Sequence, residues 1–544
     1  MSALPLARTP VAPESTDLPS GTTPPAPVRP ALGRRSVLVA AEAAAGLLVA
    51  LGFTWIGTTV SVNPMTRVGQ VSGLAALQLR FILVAIALMV AWLAVGRWLS
   101  RSTALRLAAS SVAGLASGLY AAGIAVALRG TWWPLNGAHG DSLQLQDWAV
   151  MIQEGKPISG VYPPLFPYLL SYWTEYLNPD RPGAALKVLT LLLTAVAGPA
   201  VYLAWRLLLP PLWSLGIGLA SLFPIFTAAK PYVDIILLVL VPVFARFIGS
   251  LINAGRRSTR TALLLGAGYG VVFALFFLWY SGWFVWSAPG ALACLALALV
   301  GAGRAGRTAL LRAGVTLATT GAVFLLLAGS YLIRLLQGSG TPDAYMYFDT
   351  QTEPAYFAMW LGDLPGGYTH ATWPIPGELG GVGVFVLLLV AGVGVALWLG
   401  AELPVVQVAG SFMVSAFLLR YWFASHMERD QLVQLYPRTS SELLYCSLVL
   451  CGMAGYLLSR KLAGRTAAAD GALRRPGTPA VKTAGAVLCA LTLFSALAGS
   501  ATVDRFMPSD QNNLGRLSWV AHTDQLPNGK CPKYAPGGHC EPPK

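Results

Sequence analysis

The sequence predicts an all-α polytopic membrane protein with about thirteen transmembrane helices, and two observations carry this prediction. Of the 544 residues, 55% are hydrophobic and only 11% are charged, whereas charged residues make up about a quarter of a soluble globular protein. The hydrophobic residues are also gathered in runs of helix-spanning length, which is about 20 residues. A soluble enzyme and a nucleic-acid-binding protein are therefore both poor explanations of the chain.

The first 35 residues differ from the rest in composition. They are rich in Pro, Thr, Ser and Ala and contain no aromatic residue, so they bury too little surface to offset the entropy of ordering. We predict a disordered cytoplasmic tail over residues 1–35. It is too long and too polar to be the basic region of a cleaved signal peptide.

The apolar runs fill the interval from 36 to 500, which we predict to be the transmembrane domain. The interval from 261 to 303 is too long for one helix, and Tyr280, Ser281 and Gly282 supply a polar, flexible break there. Divided at this point, the runs cover about 36–58, 72–96, 104–128, 184–206, 212–229, 232–250, 261–280, 283–303, 308–332, 380–400, 403–423, 439–459 and 478–500.

The charges predict an orientation in the cell membrane. With the amino terminus in the cytoplasm, every basic cluster lies in a cytoplasmic loop, as the excess of Lys and Arg in such loops requires. This accounts for the net charge of +14 without nucleic acid as a partner. Most carboxylates, together with the segment 501–544, then lie outside the cytoplasm. A reaction that uses a cytosolic nucleotide is therefore not expected.

Three outer loops, at about 129–183, 333–379 and 424–438, contain the side chains that a catalytic site needs. In the first, Asp141 follows His139 and begins a predicted amphipathic helix. Asp141 is either the N-cap of this helix or a general base that takes the proton from an acceptor hydroxyl in inverting glycosyl transfer. Asp147 lies six residues on and therefore on a different face. The apolar side predicted to face the bilayer interface consists of Leu143, Leu145, Trp148 and Ile152.

Tyr162 precedes Pro163 and Pro164, which fix extended backbone. This step either starts an interfacial helix or shapes the mouth of a lipid groove. The tryptophans of the first loop suit an aromatic belt at the interface as well as they suit stacking on a sugar ring.

The second loop is too long and too aromatic for a passive connector, and it contains Asp363 and His370. Basic residues are the exception on an acidic outer face, and a lipid-linked phosphate is an anion that would need them. For each cation alone, pairing with a nearby carboxylate is an equal alternative. The candidate phosphate-binding residues are Lys230, Arg420, Arg429 and Arg438.

Two further features predict structure. Cys531 and Cys540 lie nine residues apart in the outer tail, which favours a disulfide over two free thiols. Arg80 lies inside the second span, where an unpaired charge is costly. We expect it to be structural, with Glu42 or an interhelical carbonyl as its partner.

Segments of the first loop resemble a known family. GDSLQLQDWAVMIQEG, from residue 140, and VYPPLFPYLLSYW, from residue 161, resemble the first-loop region of the galactan arabinofuranosyltransferases of cell-wall arabinogalactan synthesis. RTSSELLYC at 438–446 is also similar, and the arrangement of spans and outer loops resembles the GT-C superfamily of membrane glycosyltransferases. Two departures bear on the acceptor: the tail after 501 is short, and Asp141 has no adjacent second Asp.

The resemblance implies a decaprenyl-phosphate-linked arabinofuranose donor, a galactan acceptor and no nucleotide sugar. It also implies that Asp141 matches the family's first-loop catalytic carboxylate. No cofactor is required by any ligand spacing, although Asp141 with Asp147 or Asp363 offers carboxylates to a divalent metal.

Two alternatives remain open. One is a polyprenyl-phosphate-dependent mannosyl or other hexosyl transferase, because the sequence does not separate pentose from hexose. The other is a transporter of a lipid-linked saccharide. A carrier should place ionisable groups along a pathway through the membrane, whereas here they gather in the outer loops, which favours an enzyme.

Overall fold

The computed structural model describes residues 32–338, 384–430, 438–470, 478–511 and 513–542, which form sixteen α-helices. Numbered in chain order within these ranges, they are α1 Leu32–Thr58, α2 Arg67–Val95, α3 Arg101–Ala127, α4 Gly140–Gln153, α5 Leu165–Leu177, α6 Pro182–Arg206, α7 Pro211–Ile225, α8 Pro231–Ile252, α9 Thr259–Trp279, α10 Gly282–Arg304, α11 Arg307–Gln337, α12 Val384–Gly400, α13 Pro404–Asp430, α14 Thr439–Asp470, α15 Thr478–Asp504 and α16 Asn513–Thr523.

The predicted fold class is confirmed as an all-helical, multi-pass membrane protein. Within the described ranges, eleven helices are long and apolar enough to cross a membrane. Each of the thirteen predicted runs contains a helix, but α7 and the apolar part of α12, Leu387–Gly400, are shorter than the other eleven. The predicted division of the long run is also correct, because α9 ends at Trp279 and α10 begins at Gly282.

Local sequence explains where many helices begin. The side chains of Thr66, Ser100 and Ser258 accept backbone N–H groups at the starts of α2, α3 and α9, as N-cap residues do. The helices α6, α7 and α8 each begin with proline, which has no N–H to leave unpaired in the first turn. At the amino terminus, α1 begins at Leu32, before the predicted end of the tail at residue 35.

The helix α3 lies at the centre of the bundle and is buried from Ala108 to Ala127. Its neighbours approach closely because small residues line the contacts. A Cβ atom at Gly114 would lie 2.1 Å from the carbonyl oxygen of Gly46, and one at Gly198 would lie 2.2 Å from that of Ala113. Larger side chains at these glycines would force α1 and α6 away from α3.

The helix ends define two faces of the bundle, which we name after one residue on each. On the Asp141 face, the end of α1, the start of α2 and the segments after α3 and α15 meet: Arg129 donates to the carbonyl of Thr58, and Gln70 donates to that of Pro508 at 2.8 Å. On the Glu42 face, the start of α3 and the end of α6 meet at Glu42, which is the acceptor for Arg106 at 2.9 Å and Arg206 at 3.3 Å.

Of the two partners expected for Arg80, Glu42 and an interhelical carbonyl, the structure shows the carbonyl. The guanidinium of Arg80 donates to the carbonyl oxygen of Ile56 at 3.2 Å, so an interhelical carbonyl and not Glu42 accepts from it. Glu42 is instead fully engaged by Arg106, Arg206 and the hydroxyl of Tyr202.

The segment after 504 is a folded cap on the first loop, which the sequence did not predict. The backbone N–H of Asn136 donates to Leu517 at 2.8 Å, and the hydroxyl of Thr131 donates to Ala521 at 2.6 Å. The predicted disulfide between Cys531 and Cys540 is present in this cap. We refer to residues 505–542 as the carboxy-terminal cap.

Candidate functional site

The centre of the candidate site is an ion pair between Asp141 and Lys230 on the Asp141 face. Asp141 is the second residue of α4, and the N-cap position belongs to His139, whose side chain makes no capping hydrogen bond. The N-cap interpretation of Asp141 is therefore wrong. Its side chain is 59% exposed and that of Lys230 is 41% exposed, so both are open to a ligand.

The break between α7 and α8 positions Lys230. This residue immediately precedes Pro231, the first residue of α8. Asp234, in the first turn of α8, accepts the backbone N–H of Thr227 at 2.8 Å and is buried. The carboxylate of Asp234 thus holds the short connection in which Lys230 lies, and so fixes where its ammonium group is presented.

Two tyrosines form the layer next to this pair. The hydroxyls of Tyr162 and Tyr232 are hydrogen-bonded at 3.2 Å, and the ring of Tyr232 stacks on Phe166 with centroids 4.1 Å apart. Burial, with a smaller contribution from the negative charge of Asp141, raises the pKa of Tyr162 to about 12. Tyr162 is therefore a neutral hydrogen-bonding group at physiological pH.

Arg438 is the second cation of the site. It lies at the entrance to α14, and its guanidinium is 5.4 Å from the centroid of the Tyr280 ring. Burial lowers its pKa, while the charges of Asp141 and Asp234 oppose this effect. An arginine keeps its charge in such surroundings. The positive charges of Lys230 and Arg438 therefore both act on Asp141 and Asp234.

The other two candidate phosphate ligands differ from this pair. Arg420 is fully buried and donates to the hydroxyls of Thr439 at 3.1 Å and Ser440 at 2.7 Å. Arg429 is exposed and forms an ion pair with Asp430 at 2.7 Å. Of the four expected cations, Lys230 and Arg438 act on the same carboxylates, whereas the contacts described for Arg420 and Arg429 are with other residues.

Asp147 and His139 have surroundings different from those of the pair of Asp141 and Lys230. Asp147 lines a cavity of about 430 Å³ together with Trp133 and Leu526, between α4 and the carboxy-terminal cap. Asp141 lines a different, much smaller crevice. His139 is bound by Asp524 of the cap, with Nε2 and Oδ1 3.1 Å apart.

The apolar side of α4 contacts protein rather than the bilayer interface, contrary to the prediction. Leu145, Gln146 and Ala149 are buried, and Leu143 and Trp148 are packed on the main hydrophobic core. The following helix, α5, begins at Leu165 directly after the two prolines, as predicted, and buries Phe166. The first loop is thus a packed part of the domain.

Sequence reasoning missed three charged residues near the site. Asp234 and Lys187 are charges inside apolar spans, a signal that was available because such residues are rare there. Lys187 donates to the carbonyls of Leu128 at 2.9 Å and Thr131 at 2.8 Å, which ties the first loop to α6. Asp524 gave no signal, since it lies in a polar tail.

Two predicted site residues, Asp363 and His370, lie outside the described residues. Within the described ranges, no group of three His, Cys, Asp or Glu side chains is arranged to hold a metal ion. Comparison with protein-family models finds no match, and comparison with curated proteins also finds none. The class defined by the fold is therefore that of a polytopic, all-helical membrane protein.

Proposed function

We propose that this protein is an inverting membrane glycosyltransferase that moves arabinofuranose from decaprenyl phosphate to a galactan acceptor. The observation that carries the proposal is the exposed carboxylate of Asp141, paired with Lys230 and acted on by the charge of Arg438. A base and two phosphate-binding cations are the groups that such a transfer needs.

The reaction needs little of the protein beyond these groups. An acceptor hydroxyl oxygen attacks the anomeric carbon of the donor as the bond from that carbon to the phosphate oxygen breaks. The proton of the hydroxyl passes to the Asp141 carboxylate, and the electron pair leaves on the lipid phosphate. Lys230 and Arg438 stabilise the charge that develops on this phosphate.

The pair of Asp141 and Lys230 suggests how donor binding prepares the base. An exposed ion pair is worth little, about 0–1 kcal/mol, so the donor phosphodiester, whose negative charge is shared by two non-bridging oxygens, can replace Asp141 as the partner of Lys230. Asp141 is then free to accept a hydrogen bond from the acceptor. Tyr162 remains neutral, and its hydroxyl is the hydrogen-bonding group that this layer offers to a ligand.

The test is to incubate the purified protein with radiolabelled decaprenyl-phosphoryl-arabinofuranose and synthetic oligo-galactofuranose, and to analyse the linkage of the product. We expect Asp141→Asn to abolish transfer. The control is Glu154→Gln, which neutralises an exposed carboxylate at the end of the same helix that pairs with Lys156 at 2.6 Å. Glu154→Gln should retain transfer.

Other outcomes would contradict the proposal in different ways. Transfer retained by Asp141→Asn would remove Asp141 as the base. Transfer only from a polyprenyl-phosphate-linked hexose would replace the sugar, and transbilayer movement of the donor without transfer would make the protein a transporter.

A further inference from the structure

A cavity of about 950 Å³ opens on the Glu42 face, on the opposite side of the bundle from Asp141. Its walls come from the end of α8 and the turn after it, the connection between α12 and α13, and the last membrane turns of α14. We name it the Glu42-face cavity. None of the residues placed in the glycosyl-transfer site lines it.

Charge is the first distinguishing feature of this cavity. Arg246, Arg256, Arg257 and Arg460 line it, and Glu402 is the carboxylate among its lining residues. The arginines come from α8, the turn after α8, and α14, so separate elements bring them together. Within the described part of the chain, none of the four forms an ion pair.

Two other arginines at the same face share a carboxylate within the protein. Arg106 and Arg206 both pair with the buried Glu42. The cavity arginines instead make weaker contacts: Arg257 donates to the carbonyl of Ser250 at 3.5 Å, and Arg460 lies 5.8 Å from the centroid of the Tyr456 ring. Their charge is thus available to a bound anion, and guanidinium groups suit phosphate in particular.

The apolar lining is the second distinguishing feature. Leu209, Val405 and Met453 contribute to the wall. Met453 precedes Arg460 by seven residues on α14, which corresponds to about 10 Å along a helix. Trp398 and Tyr456 add aromatic rings to the wall, as is common at the membrane interface. A soluble phosphate would leave this apolar wall unused.

We propose that the Glu42-face cavity binds a lipid-borne phosphate. The arginines bind the phosphate at the rim, and the apolar wall takes the first part of the hydrocarbon chain. An anionic phospholipid and a polyprenyl phosphate share this chemistry. The site is independent of glycosyl transfer at the Asp141 face and goes beyond it.

The experiment measures lipid retention by native mass spectrometry on the delipidated full-length protein in detergent. Separate samples receive phosphatidylglycerol, polyprenyl phosphate, phosphatidylcholine or inorganic phosphate. The test variant is Arg256→Gln with Arg257→Gln. Its matched control is Arg97→Gln with Arg101→Gln, which removes two exposed arginines, one between α2 and α3 and one at the start of α3, both outside the cavity.

We expect wild type and the control to retain phosphatidylglycerol or polyprenyl phosphate, and the lipid retained identifies the source. Retention should fall roughly tenfold or more in the test variant, because charge-assisted hydrogen bonds to the phosphate are lost. Arg460→Gln gives the same test at a single position, and Glu402→Gln should strengthen retention.

Three outcomes would overturn the proposal. They are equal retention by test and control variants, equal retention of phosphatidylcholine, and displacement of the lipid by inorganic phosphate at comparable concentration. Circular dichroism and thermal unfolding of each variant establish that it is folded. Because Asp141→Asn leaves this cavity intact, failure of the transfer assay and failure of lipid retention are distinguishable.

Discussion

At the scale of single residues, the candidate site is arranged to exchange one anion for another. Lys230 is bound to Asp141 while both remain exposed, and Arg438 lies over Tyr280 with the charges of Asp141 and Asp234 acting on it. Lys230 and Arg438 interact with carboxylates in this structure, and a bound phosphate would compete with those carboxylates for the two cations. Donor binding should therefore depend on the cations more than the chemical step does.

Arg438→Gln tests this separation. It removes the positive charge and preserves much of the side-chain volume, so we expect KM for the lipid-linked donor to rise roughly 10- to 100-fold, as the loss of a charge-assisted hydrogen bond predicts. The value of kcat at saturating donor should change less. The measurement is initial transfer rate against donor concentration.

The control for Arg438→Gln is Arg516→Gln, which neutralises an exposed arginine of α16 in the cap. An unchanged KM in Arg438→Gln, or an equal rise in the control, would show that the charge of Arg438 does not bind the donor phosphate.

The sequence predicted the residue types of this site better than their partners. Asp141, Tyr162, Lys230 and Arg438 were singled out because charge and rigid aromatic steps are unusual beside apolar runs. Which cation meets which carboxylate was beyond prediction. Asp141 and Lys230 are far apart in the chain, and no periodic pattern connects them. Arg429 pairs with its neighbour Asp430, which was the alternative to phosphate binding that the sequence left open.

At the scale of elements, the carboxy-terminal cap holds the start of α4. Asp524 accepts the backbone N–H of Ala138 through Oδ2 at 3.0 Å and binds His139 through Oδ1 at 3.1 Å. Asp141 follows His139 by two residues. The cap thus fixes the backbone from which the proposed base extends, and Asp524 is a positioning residue.

Asp524→Ala should lower kcat roughly 10- to 100-fold, since small misplacements of a catalytic group have effects of this size. Asp524→Asn should recover part of the loss because its amide oxygen still accepts the N–H of Ala138. The measurement is kcat and KM for both variants, with thermal unfolding to compare their stability.

Asp510→Ala, a change of an exposed carboxylate in the same cap, is the control for this experiment and should match wild type. If Asp524→Asn were as impaired as Asp524→Ala, or if both lost activity in proportion to lost stability, the positioning role would be contradicted.

Helix locations were largely predictable because apolar runs, prolines and capping residues are local signals. The carboxy-terminal cap was not predictable, because its position depends on contacts between residues far apart in the chain. Its contact with the first loop joins residues 385 positions apart, and its own sequence is polar, with glycine and proline throughout. The burial of the apolar side of α4 was likewise misjudged, because an apolar side suits a protein surface as well as a bilayer.

At the scale of the whole molecule, the two faces differ in the sites proposed on them and in the charges that line those sites. The proposed transfer site and the folded cap lie on the Asp141 face, whereas the cavity with four arginines lies on the Glu42 face. Excess basic charge marks the cytoplasmic side of membrane proteins. The distribution therefore predicts that the Asp141 face is extracytoplasmic and that the lipid-linked donor is used there.

Site-directed labelling tests this orientation. In a background with Cys489→Ser, which removes the exposed thiol of the spans, we introduce Asp510→Cys on the Asp141 face or Arg101→Cys at the start of α3 on the Glu42 face. A membrane-impermeant maleimide should label Asp510→Cys in intact cells and Arg101→Cys only after permeabilisation. The background protein without a new cysteine is the control. The reverse pattern would place Asp141 in the cytoplasm, where nucleotide sugars are available, and would remove the main reason for expecting a lipid-linked donor.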